Sequence, residues 1–136
     1  MMKTIIAVIE KGGDGGYAIY ADEVPGAFSS GLTELEAKAE FRDVLEGQAE
    51  YYKEKRGEYP GWYADGYEVE YRYDMSAFFM TFPFINVTEF AKSVGVNPSL
   101  MRKYKSGLVA AGEKQKNLIQ GKLSEIVANL ERVRFA

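Results

Sequence analysis

The chain has 136 residues, enough for one domain or two small ones, and its 46% hydrophobic and 27% charged residues are those of an ordinary soluble globular protein. It holds no cysteine and no histidine, which excludes disulfides, thiolate or imidazole metal sites and any Ser-His or Cys-His catalytic pair. The net charge of -3 hides an asymmetry: eight basic against sixteen acidic residues up to Ser76 give -8, and nine against four from Ala77 onward give +5. Such a split points to two modules with different partners, an acidic one for something basic and a basic one for a polyanion.

Thr4 to Ile9 is a β-branched apolar run that predicts a buried strand. The cluster Gly12, Gly13, Asp14, Gly15 and Gly16 lacks the lysine and hydroxyl residue of a phosphate-binding loop and opens no helix, so it reads as a hairpin loop. Tyr17 to Ala21 alternates as the return strand, Pro25 and Gly26 turn the chain, and Ala27 to Ser30 form a short third strand. Thr33, Glu34, Leu35 and Glu36 are a capping box opening a long helix. Ala37, Phe41, Val44, Leu45, Gln48 and Tyr52 share its covered face, while Glu40, Asp43, Glu50, Lys53 and Glu54 meet water. Gly57 ends it. Beyond a loop bearing Tyr59, Pro60, Trp62 and Tyr63, the residues Tyr67, Val69 and Tyr71 alternate with Glu68, Glu70 and Arg72 as a fourth strand. Residues 1–74 therefore predict a small α+β layer, one antiparallel sheet under one helix.

Residues 75–136 predict an all-α module. Asp74 can cap a short helix through Phe82, with Phe78, Phe79 and Phe82 in its core. Asn86 then caps a helix carrying Phe90, Ala91 and Val94 on one face, with Glu89 placed to reach back to the cap. Gly95 stops that helix, Val96 tucks beneath the turn, and Asn97 with Pro98 at the first helical position opens the next. In that second helix Leu100, Met101 and Tyr104 make a packed side, and Asn97, Ser99, Arg102, Lys103 and Lys105 a polar, basic one. The pattern is a helix-turn-helix, whose second helix enters the major groove. Arg102 would contact guanine, Ser99 a base edge or phosphate, and Lys103 and Lys105 phosphates. The same pattern also fits a plain helical bundle with a solvated basic face. In the last helix, roughly Glu113 to Val133, the residues Ile119, Leu123, Ile126, Leu130 and Val133 repeat at spacings of four and three. That stripe either closes the core or also pairs two subunits.

The stretch VPGAFSSGLTELEA, Val24 to Ala37, resembles the signature of the HicB antitoxin family of prokaryotic toxin-antitoxin systems. Asp22, Pro25 and Gly26 match its Asp-x-Pro-Gly turn with one extra residue, and Gly31, Thr33, Glu36 and Ala37 match the start of its long helix; Ala27 stands where the family often has cysteine. The resemblance implies a partial ribonuclease H-like fold followed by a helix-turn-helix domain. It implies an antitoxin that neutralises a small basic HicA-like RNA-cleaving toxin and represses its own operon by binding operator DNA as a dimer or tetramer. An acidic module suits a basic toxin. The resemblance does not say which residues touch the toxin; the candidates are the carboxylates and aromatics Asp22, Glu23, Glu40, Glu54, Tyr59, Trp62 and Tyr63. Trp62 would be the anchor, or else pack over the end of the sheet.

No apolar run approaches the roughly 20 residues of a membrane span, and the N-terminal apolar stretch is too short for a signal peptide, so a cytoplasmic protein is expected. No cofactor and no metal are implied. Two other functions remain open. A stand-alone transcriptional regulator would use the first module for dimerisation or ligand sensing; a nuclease would need Asp14, Asp22 and Glu46 to hold magnesium together.

Overall fold

The computed structural model describes residues 2–136, and it is of mixed α+β class, a four-stranded sheet with helices. β1 (Lys3–Lys11) buries Ile5, Ala7 and Ile9 on one face and leaves the residues between them half-buried on the other, the period-two pattern of a strand covered on one side. The glycine loop returns the chain as β2 (Tyr17–Tyr20), antiparallel to β1 with Ile19 opposite Ile9, and β3 (Phe28–Gly31) pairs antiparallel with β2. Two glycines are there for space. A Cβ on Gly16 would collide with the Gly31 carbonyl, and one on Gly31 would lie 2.6 Å from the Ala37 backbone nitrogen. Loop, edge strand and helix entry thus meet backbone to backbone.

α1 (Glu34–Arg56) starts as the capping box demands: the Thr33 hydroxyl accepts from the Glu36 N–H at 3.1 Å. The Glu36 carboxylate accepts from the Leu32 N–H at 3.2 Å, one residue before the cap itself. Gly57 ends the helix in the left-handed region, φ 82°. Ala37, Phe41, Leu45 and Ala49 form its buried face, and the first three pack in one cluster with Ile5, Ile9, Ile19 and Val24. Ser29 is buried among them with its hydroxyl donating to the Ala37 carbonyl at 2.8 Å, so its burial leaves no polar group unpaired.

The sheet is mixed, which corrects the antiparallel sheet read from the sequence. Its order is β3-β2-β1-β4, and β4 (Tyr67–Tyr73) runs parallel to β1 with Val69 opposite Ile5. The cause is α1. A helix between β3 and β4 returns the chain to the end from which β3 set out, so β4 runs as β3 does; β3 and β1 are both antiparallel to β2, hence parallel to each other. A one-turn helix, α2 (Gly61–Ala64), interrupts the loop before β4 and has no signature in the pattern of the sequence.

The chain divides into two compact units, Met1–Ala77 and Phe78–Ala136, where the sequence places the division between 74 and 75. The difference is the first turn of α3 (Met75–Thr81). Ala77 is buried in the first core, and the Ser76 hydroxyl accepts from the Lys11 N–H at 3.0 Å while donating to Asp74 at 2.6 Å. Asp74 also accepts from the Ala77 N–H at 2.9 Å, the cap its position predicts.

In the second unit α4 (Val87–Val94), α5 (Pro98–Ser106) and α6 (Glu113–Glu131) follow. Its core holds Phe79, Phe90, Ala91, Val94, Val96, Met101, Tyr104 and Ile119, with the Phe78 and Phe79 rings both against Phe90 at centroid separations of 5.3 and 5.6 Å. Along the α6 stripe only Ile119 is buried; Leu123 and Ile126 are half-buried, Leu130 is 64% exposed, and Val133, 48% exposed, lies beyond the helix, which ends at Glu131 and not at Val133. The stripe closes the core over its first turns and stands uncovered thereafter. Among the described residues no helix is long and apolar enough to cross a membrane.

Candidate functional site

Two groups of side chains are candidates, one in each unit. In the second unit α4 and α5 are joined by Gly95, Val96 and Asn97. Asn86 caps α4 by accepting from the Glu89 N–H at 2.9 Å; the Glu89 carboxylate does not close the capping box but pairs with Lys92 at 3.7 Å. Gly95 takes φ 79°, a conformation that costs a side-chain-bearing residue, and Val96 turns inward to 4% exposure. Asn97 spends its side-chain oxygen on the N–H groups of Ser99 (2.8 Å) and Leu100 (3.3 Å). Asn97 is therefore a cap first, with only its amide N–H groups left to offer a ligand.

Met101 and Tyr104 bury the inner side of α5, which turns Ser99, Arg102, Lys103 and Lys105 to solvent. Arg102 is held in place. One guanidinium nitrogen donates to the Thr88 hydroxyl and the other to the Ser99 hydroxyl, both at 3.2 Å. Lys105 lies 6.0 Å from the Phe79 ring centre, at the limit of a cation–π contact. Among the described residues no carboxylate pairs with Arg102, Lys103 or Lys105, whereas Lys92, Lys116 and Lys122 in the same unit each have one. An exposed cluster of uncompensated cations on a rigid helix can bind a polyanion. Thr88 is missing from the sequence reading; its place in the first turn of α4, facing α5, is visible only once the two helices are packed.

In the first unit the structure brings the candidates Tyr59, Trp62 and Tyr63 together, with partners the sequence reading does not name. Tyr67 and Tyr63 donate to the two oxygens of Glu46 at 2.6 and 3.1 Å, and Tyr59 donates to Glu50 at 2.8 Å. The four rings touch in sequence, with centroids 4.7 Å apart for Tyr59 and Tyr63, 5.7 Å for Tyr63 and Tyr67, and 5.5 Å for Trp62 and Tyr67. Lys53 sits 4.4 Å over the Tyr59 ring. A shallow depression of about 420 Å³ opens beside them, lined by Arg42, Glu46, Tyr63, Gly66 and Tyr67. The hydrogen bond to Glu50 holds the Tyr59 hydroxyl above its ordinary pKa, that to Glu46 does the same for Tyr63, and burial followed by the Glu46 bond raises Tyr67 further. Trp62 is half-buried against the first core, the packing role open to it from the start.

Among the described residues the other acidic candidates make no hydrogen bond or ion pair with this group. Glu23 is engaged by its own chain: it pairs with Lys3 at 3.0 Å and accepts from the Ile6 N–H at 3.3 Å, and those bonds, Lys3 first, hold its carboxyl below the usual range. Glu40 accepts from the Ser30 N–H at 3.4 Å on the edge of β3. Asp22, in the turn after β2, and Glu54, in the last turns of α1, are exposed. Asp14 closes the glycine loop by accepting from the Gly16 N–H at 3.2 Å. Among the described residues no three carboxylates are grouped so that they could hold a metal ion, so Asp14, Asp22 and Glu46 do not form a common site.

Comparison of the chain with models of known families, with curated proteins and with solved structures returns no match.

Proposed function

We propose that the protein is a non-enzymatic regulator with two binding surfaces: α4 and α5 form a helix-turn-helix that binds operator DNA, and the acidic first unit binds and neutralises a small basic toxin. This is the work of a HicB-like antitoxin that represses its own operon. The finer fold description that goes with it is a partial ribonuclease H-like layer, on the order strand, strand, strand, helix, strand, followed by a helix-turn-helix domain. The observation that carries the DNA half is Arg102, exposed, without a carboxylate partner among the described residues, and held by Thr88 and Ser99 beside Lys103 and Lys105. A guanidinium held in one orientation before binding loses less freedom on reading a guanine edge than a floppy one.

Two features support the rest. The uncovered stretch of the α6 stripe supplies an apolar seam by which two copies could present two α5 helices to a two-fold related operator. The first unit carries the -8 share of the charge together with the Tyr–Glu cluster, a surface matched to a basic protein. The test is binding of the purified chain to duplex DNA from upstream of its own gene against scrambled DNA at two salt concentrations, with Arg102→Ala/Lys103→Ala as control. Sequence-specific binding lost in the double variant supports the DNA half; no preference over scrambled DNA by the folded chain contradicts it. The toxin half is tested by co-expression with any small basic protein encoded beside the gene, which should be toxic alone and harmless together with this chain.

A further inference from the structure

β4 is the outermost strand of the sheet, hydrogen-bonded on one side only, to β1. The side facing away can be worked out from the ends of the ladder. The Gly66 carbonyl accepts from the Lys3 N–H at 3.1 Å, and the Asp74 N–H donates to the Ile9 carbonyl at 2.9 Å. The pairing between these ends is continuous from Tyr67 to Tyr73. Backbone groups alternate sides along a strand, so Glu68, Glu70 and Arg72 bond inward, and the N–H and C=O groups of Val69 and Tyr71 point out. The chain closes its other edges with carboxylates. Glu40 and Glu36 accept from the Ser30 and Leu32 N–H groups at and just beyond β3, and Glu23 accepts from Ile6 where β1 runs past β2. Among the described residues no carboxylate is hydrogen-bonded to the outward N–H of Val69 or Tyr71. An open edge is a template for another strand.

We infer that β4 pairs antiparallel with β4 of a second copy of this chain, in the register centred on Glu70, to make one continuous sheet across the two subunits. The strand is most fully complementary to itself in that register. A two-fold axis through Glu70 sets Glu68 opposite Arg72 of the other copy, twice, and Val69 opposite Tyr71, an aromatic on a β-branched residue, also twice; Tyr67 meets Tyr73, so the whole strand is used. Moving the axis to Val69 sets Glu68 against Glu70. Moving it to Tyr71 keeps Glu70 opposite Arg72 but sets Glu68 against Asp74 and Tyr67 against Met75 in α3, so an acid pair is added and the ladder runs off the strand. At the axis Glu70 meets its own copy, but each Glu70 carboxylate already holds the guanidinium of its own Arg72 at 2.6 Å, which offsets the like charge. The pairing lies in the first unit and is independent of α5 and of the α6 stripe.

The chain has no cysteine, so single introduced thiols read the register directly. Residues whose backbone groups point inward meet across such a pair at Cα separations of about 4.5 Å, within disulfide reach. Glu70→Cys in the full chain should form a disulfide-linked dimer nearly completely under mild oxidation. Glu68→Cys should not, because its counterpart lies about 13 Å away along the strands. Arg72→Glu should lower the native mass measured by light scattering, and Glu68→Arg/Arg72→Glu should restore it. Glu70→Cys remaining unlinked, Glu68→Cys linking equally well, or a folded Arg72→Glu of unchanged mass would each overturn the pairing. DNA binding through α5, measured on the same variants, reports separately on the regulator: loss of linking with DNA binding intact sinks this inference alone, and the reverse sinks only the DNA half of the proposed function.

Discussion

Arg102 and Thr88 form the most informative pair to perturb. If Arg102 reads a guanine, Arg102→Ala removes a bidentate base contact, a loss of roughly 1–3 kcal/mol, or about 5- to 150-fold in affinity for the specific site. Affinity for scrambled DNA should fall far less, since a single phosphate-range charge is all that is lost there. Thr88 touches the guanidinium at 3.2 Å from the opposite helix and acts through it. Removing that one exposed hydroxyl partner costs about 0.5–1 kcal/mol, so Thr88→Ala should weaken specific binding roughly 2- to 5-fold, and Thr88→Ser should leave it near wild type. In the double variant Thr88 has nothing left to hold, so its effect should equal that of Arg102→Ala within about 0.5 kcal/mol. The assay is fluorescence anisotropy on specific and scrambled duplexes at fixed salt, with thermal melting to confirm that each variant is folded. Equal losses on both duplexes would make Arg102 a phosphate contact; strictly additive losses would mean that Thr88 acts on its own and does not orient the arginine.

Three further outcomes follow from the geometry. Tyr67 has a folded-state pKa raised above its unfolded value near 10, so its contribution is fully present below pH 10 and is lost as the pH rises beyond it. Melting temperature should therefore drop steeply above pH 10 in the wild type and less steeply in Tyr67→Phe; identical slopes would contradict the raised pKa that burial and the Glu46 bond give Tyr67. Gly31→Ala forces a Cβ to 2.6 Å from the Ala37 nitrogen, a backbone atom that cannot step aside, and should destabilise the first unit by about 2–3 kcal/mol in chemical denaturation. Leu130→Glu adds a charge to the exposed part of the α6 stripe: a monomeric surface would tolerate it within about 0.5 kcal/mol. A subunit seam would instead lose native mass and, with it, operator affinity.

Local chemistry was legible where a single residue decides the backbone. Thr33, Asn86 and Asn97 cap helices, Gly57 and Gly95 end them in the left-handed region, and the alternation of Tyr67 to Arg72 is that of a half-covered strand. What the residues do not carry is direction. The pattern of β4 is the same whether it runs parallel or antiparallel to β1, and only the crossover through α1 decides. Nor do they carry partners distant in sequence. Glu46 reads as one more solvated acid on α1 until Tyr63 and Tyr67 close on it, and Glu23 reads as a free carboxylate until the loop after β2 lays it along Lys3 and Ile6. The charge split survives the structure intact, because the boundary at Ala77 and Phe78 leaves every charged residue on the side where the sequence places it.

The central claim is that DNA meets α4 and α5 while the first unit stays free for a protein partner. Amide and side-chain NMR of the isotope-labelled full chain, titrated with upstream duplex DNA, tests it directly. Resonances of Thr88 and of Ser99 to Lys105 should shift and saturate together, with Tyr59, Tyr63 and Tyr67 unmoved. Shifts centred on the tyrosine–carboxylate cluster, or none at saturating DNA, would contradict it.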